Sequence, residues 1–223
     1  MLLLAHRGDW RRWPENSLAA LLAGTALEGI DGVEFDVRSS ADGEPVIIHD
    51  ADLRRVQGID AAVAQLTASE LAGHGVPSLS ELLEALPAGA FLDIEIKEPE
   101  GPAFVAACRR GRGAALEQAV VSSFDPQALG ELADLEPAWP RWLNSPELTD
   151  ETVAVALELG CAAVSIAQEA LDPATVELAT SAGLAVAAWT ARTPTEVERL
   201  RDLGLIAVCV EDEALPPERP AAG

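Results

Sequence analysis

Two stretches of the chain each carry ionisable residues two positions apart. Glu34 and Asp36 lie in Val33-Glu-Phe-Asp-Val37, and Glu95 and Lys97 lie in Leu92-Asp-Ile-Glu-Ile-Lys97. Both stretches read as strands, where residues i and i+2 face the same way, so the members of each pair project together. Three carboxylates and an ammonium on the inner side of a sheet would be ruinous in a purely structural core. A divalent cation and an anionic substrate make the arrangement chemically sensible. Glu34, Asp36 and Glu95 offer three oxygen donors suited to a hard cation, Mg²⁺ or Ca²⁺, between which the sequence does not choose. No cysteine accompanies the nearby histidines, which disfavours zinc. Ordinary ion pairs at strand ends are the plainer account of the same carboxylates.

Two of the three histidines follow apolar runs: His6, in His6-Arg7-Gly8, and His49, in His49-Asp50. Placed beside a metal cluster, they suit acid–base work. Arg7 offers a planar fork for phosphate oxygens and Lys97 a point charge, and both would also balance the carboxylates. Glu15 and Asn16 follow the first strand's loop and could serve the site, although Asn16 would equally cap a helix. Trp189 ends a strand and either lines a pocket for an organic group or packs in the core. Trp10 and Trp13 lie in the first loop and could form part of a mouth. His74, between two glycines, reads as surface.

The elements that must position these residues alternate. Candidate strands are Leu2–Ala5, Gly32–Val37, Phe91–Ile96, Ala119–Ser123, Arg141–Leu143, Ala163–Ile166, Ala185–Trp189 and Ile206–Val210. Helix signals lie between most of them. Asn16-Ser17 caps a helix through Leu27, and Ser78-Leu-Ser-Glu81 is a capping box. Asp125-Pro126, Thr149-Asp150, Asp172-Pro173 and Thr193-Pro194 open four more, the last three stopped by Gly160, Gly183 and Gly204. Eight near-continuous apolar strands alternating with helices predict a closed parallel (β/α)₈ TIM barrel over residues 1–215. Pro45-Val-Ile-Ile48, after the turn dipeptide Asp42-Gly43, is an extra short strand within the second βα connection and carries His49 to the mouth. Residues 50–77, the least regular stretch, form a small excursion over that mouth. Residues 216–223, rich in Pro and Ala, are expected to be a flexible tail. In such a barrel the active groups gather at the C-terminal strand ends, where every suspicious polar residue falls.

Composition narrows the function. The 223 residues are 49% apolar, enough for one large domain with a sizeable core, and carry a formal charge of −22. That acidity disfavours nucleic acid and anionic membranes as partners, and obliges any anionic substrate to find a local positive site such as Arg7, Lys97 and a metal. Cys108, Cys161 and Cys209 are sparse and scattered, as expected of reduced thiols in the cytoplasm. No apolar run approaches the ~20 residues of a membrane helix, and stable membrane association is not expected. Oligomeric state is not legible.

The ordered set His6-Arg7-Gly8, Pro14-Glu15-Asn16-Ser17, Val33-Glu-Phe-Asp-Val37, Pro45-Val-Ile-Ile-His-Asp50 and Ile94-Glu-Ile-Lys97 resembles the glycerophosphodiester phosphodiesterase family, with weaker echoes in Ser122-Ser123-Phe124 and Trp189-Thr190. The resemblance implies a distorted (β/α)₈ barrel that hydrolyses small glycerophosphodiesters to glycerol 3-phosphate and an alcohol. It puts metal ligands on Glu34, Asp36 and Glu95, an acid–base pair on His6 and His49, and phosphate contacts on Arg7 and Lys97. It also implies attack of the glycerol 2-hydroxyl on phosphorus, through a cyclic phosphate that water opens. Departures from the family's usual pattern are Ser17 for Thr, Thr190-Ala-Arg192 for Thr-Val-Asn, Glu211-Asp212 for Thr-Asp, and Arg54-Arg55-Val56 near Leu53, where Arg-Thr-Thr is usual. Arg192 either alters substrate recognition or sits on the surface. Two other functions share such a rim: a phospholipase D-like enzyme on lysophospholipids, and an inactive phosphodiester-binding barrel. The acidity and the lack of an apolar loop argue against the first, although Trp10 and Trp13 favour it. The intact set of histidines and acids argues against the second.

Overall fold

The computed structural model describes residues 1–217. Eight strands, β1 (Leu2–His6), β2 (Gly32–Ser39), β4 (Phe91–Ile96), β5 (Ala119–Ser123), β6 (Arg141–Ser145), β7 (Ala163–Ala167), β8 (Ala185–Ala191) and β9 (Ala207–Val210), run parallel in the order β1-β9-β8-β7-β6-β5-β4-β2. Pairing of β1 with β2, Leu4 opposite Gly32 and His6 opposite Glu34, closes the barrel. β3 (Pro45–Ile47) lies outside it, antiparallel to the end of β2, with Val37 opposite Ile47 and Ser39 opposite Pro45. The closed barrel and its appended strand are the predicted architecture.

Strand parity divides the barrel in two. Odd residues of β2, Val33, Phe35 and Val37, and even residues of β4, Leu92, Ile94 and Ile96, pack outward with helix side chains such as Leu21, Leu82, Phe104 and Leu129 in the main core. The other parity points inward. At the N-terminal ends it supplies an apolar plug of Leu4, Val120, Trp142, Ala163, Ala187, Ala207 and Cys209, with the Phe91 and Trp142 rings stacked 6.1 Å apart. Further along, this inward row becomes largely polar: His6 follows Leu4, Ser122 follows Val120, Asn144 follows Trp142, Ser165 follows Ala163, and Glu211, just past β9, follows Cys209, with Trp189 of β8 the apolar exception. A barrel interior filled by side-chain layers is thus apolar at the bottom and polar at the top.

The helices begin where expected: α1 (Leu18–Ala26), α4 (Leu79–Ala85), α6 (Pro126–Leu135), α7 (Asp150–Glu158), α8 (Pro173–Ser181) and α9 (Pro194–Asp202). Reciprocal capping boxes close at Thr149, Asp172 and Thr193, each contributing about 1 kcal/mol of helix stability. At Ser78 the structure records the forward bond from the Glu81 N–H, 3.2 Å, and no return bond, so the expected box is half made. Two further findings were not foreseen. α5 (Pro102–Arg112) follows β4, opened by Gly101 without a side-chain cap. Residues 50–77 are more ordered than expected. They contain α2 (Arg54–Gln57), a 3₁₀ turn at Val63–Gln65 and α3 (Ala68–Gly73), and they bury Leu53, Val63, Leu71 and Val76 with Val46 and Ile48 in a separate apolar cluster. Most of the expected tail, residues 218–223, lies outside the described residues.

Candidate active site

The loop after β1 is shaped by backbone conformation. Arg7 and Asn16 both adopt positive φ, 57° and 58°, and Gly8 does so at 83°. A Cβ on Gly8 would stand 2.4 Å from the Ala20 carbonyl, so only glycine lets the loop close on α1. This folds Arg7 back over the barrel mouth. Its N–H lies 2.9 Å from the Glu34 carbonyl and 3.0 Å from Glu34 Oε2. Its guanidinium lies 3.2 Å from Asp36 Oδ2 through Nε and donates to Glu15 Oε1 at 2.8 Å through Nη1. Ser17, not Asn16, caps α1. Asn16 instead is buried and donates from Nδ2 to Asp36 Oδ2 at 2.7 Å.

Glu34, Asp36 and Glu95 are buried, with one carboxylate oxygen from each within 4.8 Å of the others. Asp36 stands opposite Glu95, and Glu34 opposite Asp93, across the β2–β4 ladder. Asp93 shares the inward parity of Glu95 and Lys97, so four carboxylates face two fixed cations, Arg7 and Lys97, at the barrel mouth. Lys97 Nζ lies 2.6 Å from Asp36 Oδ1 and also contacts Glu95 Oε1. Burial alone would raise the Asp36 carboxyl, but Lys97 and Arg7 hold it well below the ordinary carboxylate range. Burial and then the charges of Asp36 and Glu95 push Glu34 well up. Glu95 is pushed up to about 6 by burial and Asp36, against the pull of Lys97, and Asp93 to about 7 by burial. Glu34 Oε1 is buried without a hydrogen-bond partner. Excess carboxylate, a raised Glu34 and an orphaned buried oxygen are what a bound hard cation would relieve, so the residues present fit a divalent metal.

His6 and His49 each turn Nδ1 to a carboxylate. His49 Nδ1 lies 2.7 Å from Asp50 Oδ1, and His6 Nδ1 lies 2.6 Å from Glu211 Oε2. His6 Nε2 is 3.8 Å from Glu34 Oε2. Burial lowers the His49 imidazole, with Asp36 and Asp50 opposing. Behind these pairs stand two arginines. Arg55 of α2 bonds both Glu15 oxygens, at 2.8 and 2.7 Å, and reaches Asp50 Oδ2 at 2.6 Å, tying the Arg7 and His49 sides together. Arg192, after β8, lies 2.8 Å from Glu211 Oε1.

A cavity of about 290 Å³ opens over this floor. His6, Arg7, Glu34, His49, Glu95 and Lys97 line it as the spacing predicts. Trp189 lines it too, its Nε1 donating to the Ser165 carbonyl at 3.1 Å and its ring meeting Phe124 edge-on at 5.3 Å. Glu15 stands behind Arg7, paired with Arg7 and Arg55, rather than in the cavity lining. His74 ends α3 and is exposed, as expected. Sequence reasoning did not single out Asp93, Asn144, Ser165 or Glu169, all at the cavity wall, and met Phe124, also there, only as a weak echo of the family pattern. For Asp93, Asn144 and Ser165 the signal was available: continuing the period-two count along β4, β6 and β7 reaches each.

Comparison with known proteins agrees with this geometry. The glycerophosphodiester phosphodiesterase of Caldanaerobacter subterraneus subsp. tengcongensis is 27% identical, over 95% of this chain and 94% of that protein. The structure of an Oleispira antarctica phosphodiesterase, solved with its product sn-glycerol-3-phosphate, superposes with a TM-score of 0.84 at 30% identity, over 94% of this chain and 92% of that one. That of a Thermotoga maritima glycerophosphodiester phosphodiesterase gives 0.80 at 26% identity, over 94% of each chain. Residues 6–214 match the model of the glycerophosphoryl diester phosphodiesterase family. With that match running from the first histidine past the last strand of the barrel, the chain belongs to this family.

Proposed function

We propose that this chain hydrolyses glycerophosphodiesters to sn-glycerol 3-phosphate and an alcohol, with a divalent cation, Mg²⁺ or Ca²⁺, held by Glu34, Asp36 and Glu95. The observation that carries the reading is the cluster itself: three buried carboxylates within 4.8 Å, paired with two cations, beside a cavity that two carboxylate-held imidazoles also line. The cation would supply Lewis-acid stabilisation of charge on the phosphoryl oxygens. Arg7 and Lys97 bind the phosphate and stabilise the same developing charge. One histidine accepts the proton of the attacking glycerol 2-hydroxyl as the O–P bond forms, and the other donates a proton to the departing alkoxide as its P–O bond breaks. Water then opens the cyclic phosphate, and the two proton transfers run in reverse. Trp189 and Phe124 give the mouth an apolar wall for the organic part of the diester.

The strong negative charge and the three free, buried thiols support a cytoplasmic enzyme acting on small molecules. Among the described residues no helix is long and apolar enough to cross a membrane. Incubating the protein and Mg²⁺ or Ca²⁺ with glycerophosphocholine, glycerophosphoethanolamine and lysophosphatidylcholine tests the proposal. Release of sn-glycerol 3-phosphate from the first two supports it. Turnover confined to lysophosphatidylcholine identifies the phospholipase D-like enzyme instead, and no turnover of any identifies an inactive barrel.

A further inference from the structure

Glu211 has both carboxylate oxygens committed. Oε2 lies 2.6 Å from His6 Nδ1 and Oε1 lies 2.8 Å from Arg192 Nε, and the side chain is buried. Burial would raise its carboxyl, but His6 and Arg192 outweigh burial and hold it below the ordinary value. An ionised carboxylate only accepts hydrogen bonds, so Nδ1 must carry the proton in this contact. A neutral imidazole has one N–H, which leaves Nε2 as the lone pair, and Nε2 is the nitrogen on the Glu34 side of the ring, 3.8 Å from Glu34 Oε2. Arg192 is anchored in turn: its N–H donates to Glu196 Oε2 at 2.7 Å, within the capping box that opens α9.

Resting on the reading of His6 as a proton-transfer residue, we propose that Glu211, braced by Arg192, is a positioning residue that fixes the His6 ring and tautomer so that Nε2 faces the phosphodiester. Glu211 does not touch the substrate and takes no proton. Its effect is on the fraction of His6 rings in reactive register, and so on kcat rather than KM. Carboxylates that orient metal-bound imidazoles change activity by roughly 10–100-fold, and losing one that orients a proton-transfer imidazole costs at least that much.

The chain has only three histidines, so its imidazole nitrogens can be resolved by ¹⁵N-edited NMR of the Mg²⁺-loaded protein, with His6→Ala assigning the His6 signals. The proposal expects a protonated Nδ1 in the wild type and a shift of that proton to Nε2 in most molecules of Glu211→Ala. It expects Glu211→Ala to lower kcat roughly 10–100-fold or more with KM nearly unchanged. Glu211→Gln, whose amide oxygen still accepts from Nδ1, recovers most of that loss, and Arg192→Ala loses less than Glu211→Ala. An unprotonated Nδ1 in the wild type overturns it without any variant having to fold. So does a Glu211→Gln enzyme as slow as Glu211→Ala, or wild-type kcat in Glu211→Ala. Failure of the underlying reading looks different: His6→Ala would then turn over at the wild-type rate, whatever the tautomer in the spectrum.

Discussion

Asp36 and Glu95 are Cα partners in the parallel ladder of β2 and β4, and Lys97 reaches both carboxylates. A ladder is among the stiffest ways to hold two side chains at a fixed separation, since neither strand can slide without losing its register. Replacing any of Glu34, Asp36 or Glu95 by its amide keeps the shape and removes one charge. Each of Glu34→Gln, Asp36→Asn and Glu95→Gln is expected to weaken divalent-cation binding and to slow metal-supported turnover roughly 10²-fold or more, since a Lewis acid contributes several kcal/mol to the transition state. Calorimetric titration with Mg²⁺ and Ca²⁺, beside the assay, checks this. Binding undiminished in all three would remove them as ligands.

His6→Ala and His49→Ala should each cost roughly 10²-fold or more in hydrolysis, the scale of a positioned acid or base. Near-wild-type rates in either variant, read from sn-glycerol 3-phosphate release, would exclude that residue from proton transfer.

Arg55 joins Glu15, which orients Arg7, to Asp50, which holds His49. Its loss should therefore disturb phosphate binding and proton transfer together. Arg55→Ala is expected to lower kcat/KM roughly tenfold, through both constants. Arg55→Lys should recover only part, because one ammonium cannot reproduce a guanidinium fork across two carboxylates. Unchanged steady-state kinetics in Arg55→Ala would contradict this role.

Much of this machinery was legible because strand parity is strict. Once Glu34, Asp36, Glu95 and Lys97 are read as inward-facing, the mouth follows, and so does the place of His6 at the end of β1. What stayed hidden depends on contacts distant along the chain. Glu211 meets His6 only because β9 lies beside β1, and Arg55 meets Glu15 only because residues 50–77 pack beside the first loop. The helix α5 escaped notice for a local reason: it opens on Gly101 without a side-chain cap, contains Gly111, and ends among Arg109, Arg110 and Arg112. Asn16 looked like a cap because its residue type suits one, yet its positive φ hands that task to Ser17.

Glu100 gives a test of stability away from the chemistry. It is buried, accepts from Ser39 Oγ at 3.1 Å, leaves Oε1 without a partner, and is pushed up to about 7 by burial. A carboxyl that holds its proton more tightly folded than unfolded costs nothing below the unfolded value of 4.5 and progressively destabilises the fold as pH rises to about 7. The penalty well above that is about 3 kcal/mol. Glu100→Gln should therefore raise the melting temperature by several degrees at about pH 8 and change it little at about pH 4.5. Equal shifts at both pH values would show that the buried charge is not the cause.

Internal attack requires a hydroxyl beside the phosphate. Glycerophosphodiesters are expected to turn over faster than diesters of matched size that lack this hydroxyl, measured as kcat/KM on both. Equal values would argue for direct attack by water.

If the acids of β2 and β4 hold an ion on which hydrolysis depends, it will show in the turnover of glycerophosphocholine by one protein preparation before chelation, after removal of divalent ions with EDTA, and after adding Mg²⁺ or Ca²⁺ back. The prediction is loss on chelation and recovery with at least one of the two ions in the wild type, with no recovery in Asp36→Asn. Undiminished hydrolysis by the metal-free protein would contradict it.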